Sequence, residues 1–191
     1  MEYSINARIS NRHVHLTKEI YEMLFDEEMT KRNDLNQIGE FASNQVVTLK
    51  NGDKEIKNVR VLGPFREYNQ IEISKKDARC LGVNPPVRRS GDLADSLEVT
   101  LETEKNSIVV KGLIIANRHI HMTKDDAKKY GVEDKQKVQI KVLGDKSGIM
   151  DAEIKISDNA FYELHIDTDD ANAFLIEDND KAKMIIWVVL K

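Results

Sequence analysis

The segment ISNRHVHLTK at residues 9–18 returns as IANRHIHMTK at residues 115–124, with seven of the ten positions identical. A repeat at an offset of 106 in a chain of 191 residues makes the two halves versions of one another. Whatever supersecondary unit the first half builds, the second must build too, and the length suits two small domains.

The rest of each half reads as short strands. QVVTL runs into Asn51-Gly52, NVRVL into Gly63-Pro64 and VQIKVL into Gly144, the pattern of β segments punctuated by turn residues. Asn51-Gly52 predicts a hairpin turn, because both residues tolerate positive φ. Thr17 and Thr123 each precede a helix-like stretch. Thr123 and Asp126 have capping-box spacing, and Gly131 is the expected stop.

Each half also holds a short strand entering a helix: Gln70-Ile71-Glu72-Ile73-Ser74 before KKDA, and Glu163-Leu164-His165-Ile166-Asp167 before TDDA. Aligning Asp77-Ala78 with Asp170-Ala171 sets Glu72 opposite His165, at an offset of 93. The first half therefore carries 13 extra residues, and residues 30–44 are the candidate insertion. The run IIWVVL at residues 185–190 is of strand length and reads as a buried strand. These features predict a mainly β fold of two small β-barrels or sandwiches related by duplication and capped by short α-helices.

All five histidines, His13, His15, His119, His121 and His165, fall inside the repeated features. His-x-His on an extended strand puts both rings on one face, roughly 6.5–7 Å apart along the backbone. Two ring nitrogens can then converge on one ion at about 2.0–2.1 Å each. The alignment supplies a third ligand in each half, giving His13, His15 and Glu72 in one and His119, His121 and His165 in the other. Three protein ligands with an open position is the arrangement of a catalytic zinc site, since structural zinc is closed by four. Donors of this type, without thiolate, suit zinc, and are also compatible with cobalt, nickel, iron or manganese.

Arg12 and Arg118 precede the histidine pairs and alternate away from them, which predicts ion pairs or interdomain contacts. Arg66 follows the Gly63-Pro64 turn and lies six residues before Glu72. It reads either as a bidentate phosphate ligand or as one side of a surface ion pair. In PPVRRSGD (residues 85–92), Ser90 and Gly91 offer a hydroxyl and exposed N–H groups for an anion, or else a plain linker. The charged run KDDAKK predicts a solvated helix face. No Walker A, Rossmann fingerprint, zinc ribbon or nucleophile elbow is present.

A net charge of −4 gives no general attraction to nucleic acid or anionic lipid. No apolar run approaches the roughly 18–20 residues that cross a bilayer. Cys80 is the sole cysteine, which excludes an internal disulfide and fits a reducing compartment. The residues ahead of the first motif are too few for a signal peptide or an added targeting helix. The expectation is a cytoplasmic protein with neither nucleic acid nor membrane as partner.

The blocks SNRHVHLT, DLNQIGEFA, VRVLGPFREYNQIEIS, PPVRRSGDL, GLIIANRHIHMT and ELHIDTDDAN, in that order, resemble the PduL-type phosphate acyltransferases, the phosphate propanoyltransferases or phosphotransacylases. The resemblance spans nearly the whole chain. It implies an enzyme that interconverts short-chain acyl-CoA and phosphate with acyl phosphate and free coenzyme A, the acyl group being propanoyl or acetyl. It also implies two β-barrels in which the first strand joins the C-terminal half, so that residues 11–113 form one domain and residues 1–10 with 114–191 the other. Two zinc ions per chain are implied, one on His13, His15 and Glu72 and one on His119, His121 and His165. Arg66 matches the family's phosphate-contacting arginine, Ser90 and Gly91 match its anion-side loop, and similar proteins point to a homodimer. This sequence departs from the family at Asn69, where Thr is common, and at Arg89, where Asp is usual. Two other readings use the same residues: a di-metal hydrolase of thioesters or phosphoesters, which would need no phosphate, and a non-catalytic metal-binding module.

Overall fold

The computed structural model of the chain describes residues 1–186. The first half runs β1 (Glu2–Ser10), β2 (His13–His15), α1 (Lys18–Leu24), β3 (Lys31–Asp34), β4 (Phe41–Asn51), β5 (Lys54–Gly63), β6 (Gln70–Glu72), α2 (Lys75–Leu81), β7 (Val87–Arg88) and β8 (Leu97–Glu102). The second runs β9 (Ser107–Ala116), β10 (His119–Met122), α3 (Lys124–Tyr130), β11 (Lys137–Val142), β12 (Gly148–Ile156), β13 (Glu163–Asp167), α4 (Thr168–Phe174) and β14 (Lys181–Ile185). The protein is mainly β, with two closed six-stranded barrels and four short helices among the described residues.

The chain divides into two compact units, Asn11–Ala116 and Met1–Ser10 with the residues from Asn117 onward. In the latter, β1, β13, β10, β12, β11 and β14 close a barrel in that order. Strict alternation closes it: Val138, Ile140 and Val142 of β11 and Ile120 and Met122 of β10 all point into one apolar core. In the other unit, β4, β5, β2, β6, β9 and β8 form the equivalent ring around Val14, Leu49, Val61, Ile71 and Leu101. The edge strands β3 and β7 lie off this ring. The candidate insertion at residues 30–44 forms β3, an exposed strand antiparallel to β4, and the start of β4 itself.

The rings match strand for strand. Each His-x-His strand has one parallel neighbour (β5 or β12) and one antiparallel neighbour (β6 or β13). Each third-ligand strand is then parallel to the strand that opens a repeat, β9 for β6 and β1 for β13. Each copy of the repeat thus opens with a strand of one unit and continues, two residues later, with the His-x-His strand of the other.

All four helices are seven residues long, and each follows directly on a ligand-bearing strand. Thr17, Ser74, Thr123 and Asp167 cap them by accepting a backbone N–H at N3. A cap of this kind contributes about 1 kcal/mol. The expected capping box at Thr123 and stop at Gly131 are both present. Lys124, Asp125, Lys128 and Lys129 of α3 are exposed, as its charge run predicted. No helix among the described residues is long and apolar enough to cross a membrane.

One turn differs from expectation. Asn51 pairs with Lys54 as the last residue of β4, so the central residues of the hairpin are Gly52 and Asp53, and only Gly52 takes positive φ (58°). Glycine at the first central position is the alternative two-residue solution, and it relieves Asn51 of any left-handed role. Of the run IIWVVL, Ile185 ends β14 and Ile186 is buried, while residues 187–190 lie outside the described residues.

Candidate functional site

In the Asn11–Ala116 unit, β2 brings His13 and His15 onto the face opposite Val14, which is in the core. Register places Glu72 of β6 directly across from His13. All three are buried. His13 Nε2 stands 3.6 Å from Glu72 Oε2. His13 Nδ1 lies 2.8 Å from the carbonyl of Asn11. A carbonyl only accepts, so Nδ1 carries the proton and Nε2 of the neutral ring presents its lone pair.

The other unit repeats the device. His119 is directly across from His165 of β13, while Ile120 between the two histidines of β10 faces the core. His119 Nδ1 donates to the carbonyl of Asn117 at 2.8 Å, and its Nε2 is 3.1 Å from His121 Nε2. The three rings of His119, His121 and His165 have centroids 4.5–5.3 Å apart. The asparagine of each NRH motif thus fixes the tautomer of the first histidine through its backbone oxygen.

These donor sets fit a divalent cation. Within each triad the ligand atoms lie within 4.8 Å of one another. Two donors about 2.0–2.1 Å from a tetrahedral ion stand roughly 3.3 Å apart, close to the separation seen at His119 and His121. Two neutral imidazoles with a carboxylate, or three imidazoles, form a nitrogen and oxygen set suited to zinc.

Around these groups, Arg12 pairs with Asp77 at 3.4 Å and Arg118 with Asp170 at 2.7 Å, ion pairs that tie each NRH segment to the helix after the third-ligand strand. Asp170 holds the Arg118 guanidinium above its usual range. Burial pushes the Asp167 carboxyl up, although it caps α4. Arg66 is half-buried and its Nη2 is 2.8 Å from Glu40 Oε1, an ion pair that sets its orientation. Asn69 Oδ1 accepts the backbone N–H of Thr17 at 2.9 Å, which joins the entry of β6 to the cap of α1. Arg88 is turned into its own loop by Asp95, and Cys80 is exposed on α2.

The structure adds two residues that the sequence reasoning passed over. Gln70, with no exposed surface, lies across from His15 and donates to Glu72 Oε1 at 2.5 Å. Its amide also contacts Ser90 Oγ at 3.1 Å and accepts the Gly91 N–H at 2.8 Å. Ser90 and Gly91 are thereby joined to the ligand Glu72 through one side chain. Glu163 lies across from His121, is 2% exposed, and contacts His165 Nε2 at 2.7 Å. The signal was present: each is two residues ahead of a third ligand, hence on the same face of its strand.

Comparison with known proteins places the chain among phosphate propanoyltransferases. The family model described as phosphate propanoyltransferase matches residues 6–177. The phosphate propanoyltransferase of Priestia megaterium is 47% identical over 188 residues, covering 96% of this chain and 87% of its own. That of Thermotoga maritima is 45% identical over 185 residues, 94% of this chain and 88% of its own. That of Clostridioides difficile is 42% identical over 188 residues, 96% of this chain and 90% of its own.

Proposed function

The chain belongs to the phosphate propanoyltransferase family and is an acyltransferase, and on that premise we propose that it interconverts a short-chain acyl-CoA and phosphate with the acyl phosphate and free CoA. Propanoyl and acetyl are the acyl groups, zinc is held at both triads, and the enzyme works as a cytoplasmic homodimer. The observation that carries this reading is the pair of triads, each assembled by strand register from one copy of the repeat.

In the forward step a phosphate oxygen bonds to the thioester carbonyl carbon, the C–S bond breaks, and CoA leaves as its thiolate. Zinc when bound supplies Lewis acidity toward oxygen and a soft partner for sulfur. His119, His121 and His165 serve the phosphate side, and His13, His15 and Glu72 the sulfur side. Arg66 holds phosphate through the N–H groups that Glu40 leaves open, the ion pair keeping the guanidinium oriented. The Ser90 hydroxyl completes the anion contacts, and Gly91, its N–H held by Gln70 Oε1, shapes the loop that presents that hydroxyl. Phosphate is already anionic near neutral pH, so no general base is required.

The test follows free thiol from propanoyl-CoA and acetyl-CoA with and without phosphate. Thiol release that requires phosphate is expected; equal release in its absence would make the protein a hydrolase, and none in its presence a binding module. Arg66→Ala should raise the phosphate concentration needed for half-maximal rate by about 10–100-fold, since a charge-assisted contact contributes roughly 1.5–3 kcal/mol. An unchanged phosphate dependence would remove Arg66 from the anion site.

A further inference from the structure

The two triads differ in one way that the repeat itself explains. Positions 70 and 72 of one unit correspond to 163 and 165 of the other by strand register. One pair is Gln then Glu, and the other is Glu then His. In both units the two positions together carry one carboxylate, but it sits at the ligand position in one and two residues earlier in the other.

We propose that Glu163 is the positioning residue of the His119/His121/His165 centre, accepting the Nε2 proton of His165 so that Nδ1 of that ring is turned to the cation. This rests on the reading of the triads as metal centres. The 2.7 Å contact commits His165 Nε2 to the carboxylate, and a carboxylate behind a ligating imidazole fixes its tautomer and raises its basicity. Glu163 is 2% exposed, and a side chain that far from water is held by its hydrogen-bond partners, of which the His165 Nε2–H is one. Gln70 performs the complementary task at the other centre. There the ligand is already the anion, and the amide N–H steadies the Glu72 oxygen that faces away from His13. The duplication has kept the formal charge of the two centres equal while exchanging which position carries it.

The experiment is a zinc competition titration against a chromogenic chelator, run on the wild type, E163Q and E163A, with melting of the metal-free proteins alongside. The wild type should bind two equivalents. E163A should keep one at wild-type affinity and bind the other about 10–100-fold more weakly. E163Q, which retains an acceptor oxygen without the charge, should fall between them. After cobalt substitution, all three should show the same visible band intensity at saturation, because the first coordination sphere is intact. Unchanged affinity in both variants overturns the proposal, even where E163A lowers the metal-free melting temperature, since that would mark a purely structural role. A cobalt spectrum altered as in His165→Ala also overturns it, by making Glu163 a ligand itself. Failure of the wild type to bind two equivalents would instead sink the metal-centre reading.

Discussion

His165→Ala is expected to leave the protein with one metal equivalent in place of two and to lower turnover by at least about a thousandfold. The imidazole is half-buried on β13, directly across from His119, and its removal leaves only the 3.1 Å pair of His119 and His121 facing the ion. Two donors hold zinc far less well than three, and the deletion also strips Glu163 of the contact His165 gives it. A cation that polarises oxygen contributes several kcal/mol to the transition state, which converts to roughly a thousandfold in rate. His13→Ala is the matched control at the other centre, and it should lose the other equivalent. Elemental analysis after dialysis, read beside phosphate-dependent thiol release, checks both quantities. Two equivalents retained with wild-type turnover in His165→Ala would end the assignment of that triad.

The triads were legible because they rest on local terms: His-x-His sets a face by alternation, and an Asp-Ala pair after each third-ligand strand aligns the halves. The cap at Thr123 was legible for the same reason, since a side-chain oxygen three residues from a free N–H is a local interaction. Strand partners were not. That β1 stands beside β13 while β9 stands beside β6 depends on pairings more than a hundred residues apart for β1, with no local term to favour them. The division into units came from family resemblance, because the repeat by itself leaves each opening strand in its own half. Gln70 and Glu163 were missed for a different reason. A search for metal ligands passes over an amide, and Glu163 drew no attention once His165 had filled the third position. Both emerge only when the face shared by residues two apart is read as a whole.

Gly112→Ala is expected to destabilise the Asn11–Ala116 unit by about 3–5 kcal/mol, a large share of the 5–15 kcal/mol by which a domain is typically stable. Gly112 sits within β9 at φ 136°, where L residues are strained. A Cβ there would stand 2.3 Å from the Asn69 carbonyl oxygen and 3.0 Å from its carbon. Those are backbone atoms at the entry of β6, so no side chain can swing aside, and relief requires moving the strand that carries Gln70 and Glu72. The following residues, Leu113 and Ile114, pair with Ile71 and Glu72. The displacement therefore falls on the ligand position itself, and surviving folded protein should hold metal more weakly at the Glu72 centre than at the His165 centre. Gly131→Ala separates strain from collision: its φ is 68°, but a Cβ would meet nothing within 4 Å, so the cost should stay near 1 kcal/mol. Urea midpoints of the two variants, with zinc content at each centre, give the answer. Equal midpoints would show that β6 does not depend on the close approach at Gly112, and that the position of Glu72 is set by β2 alone.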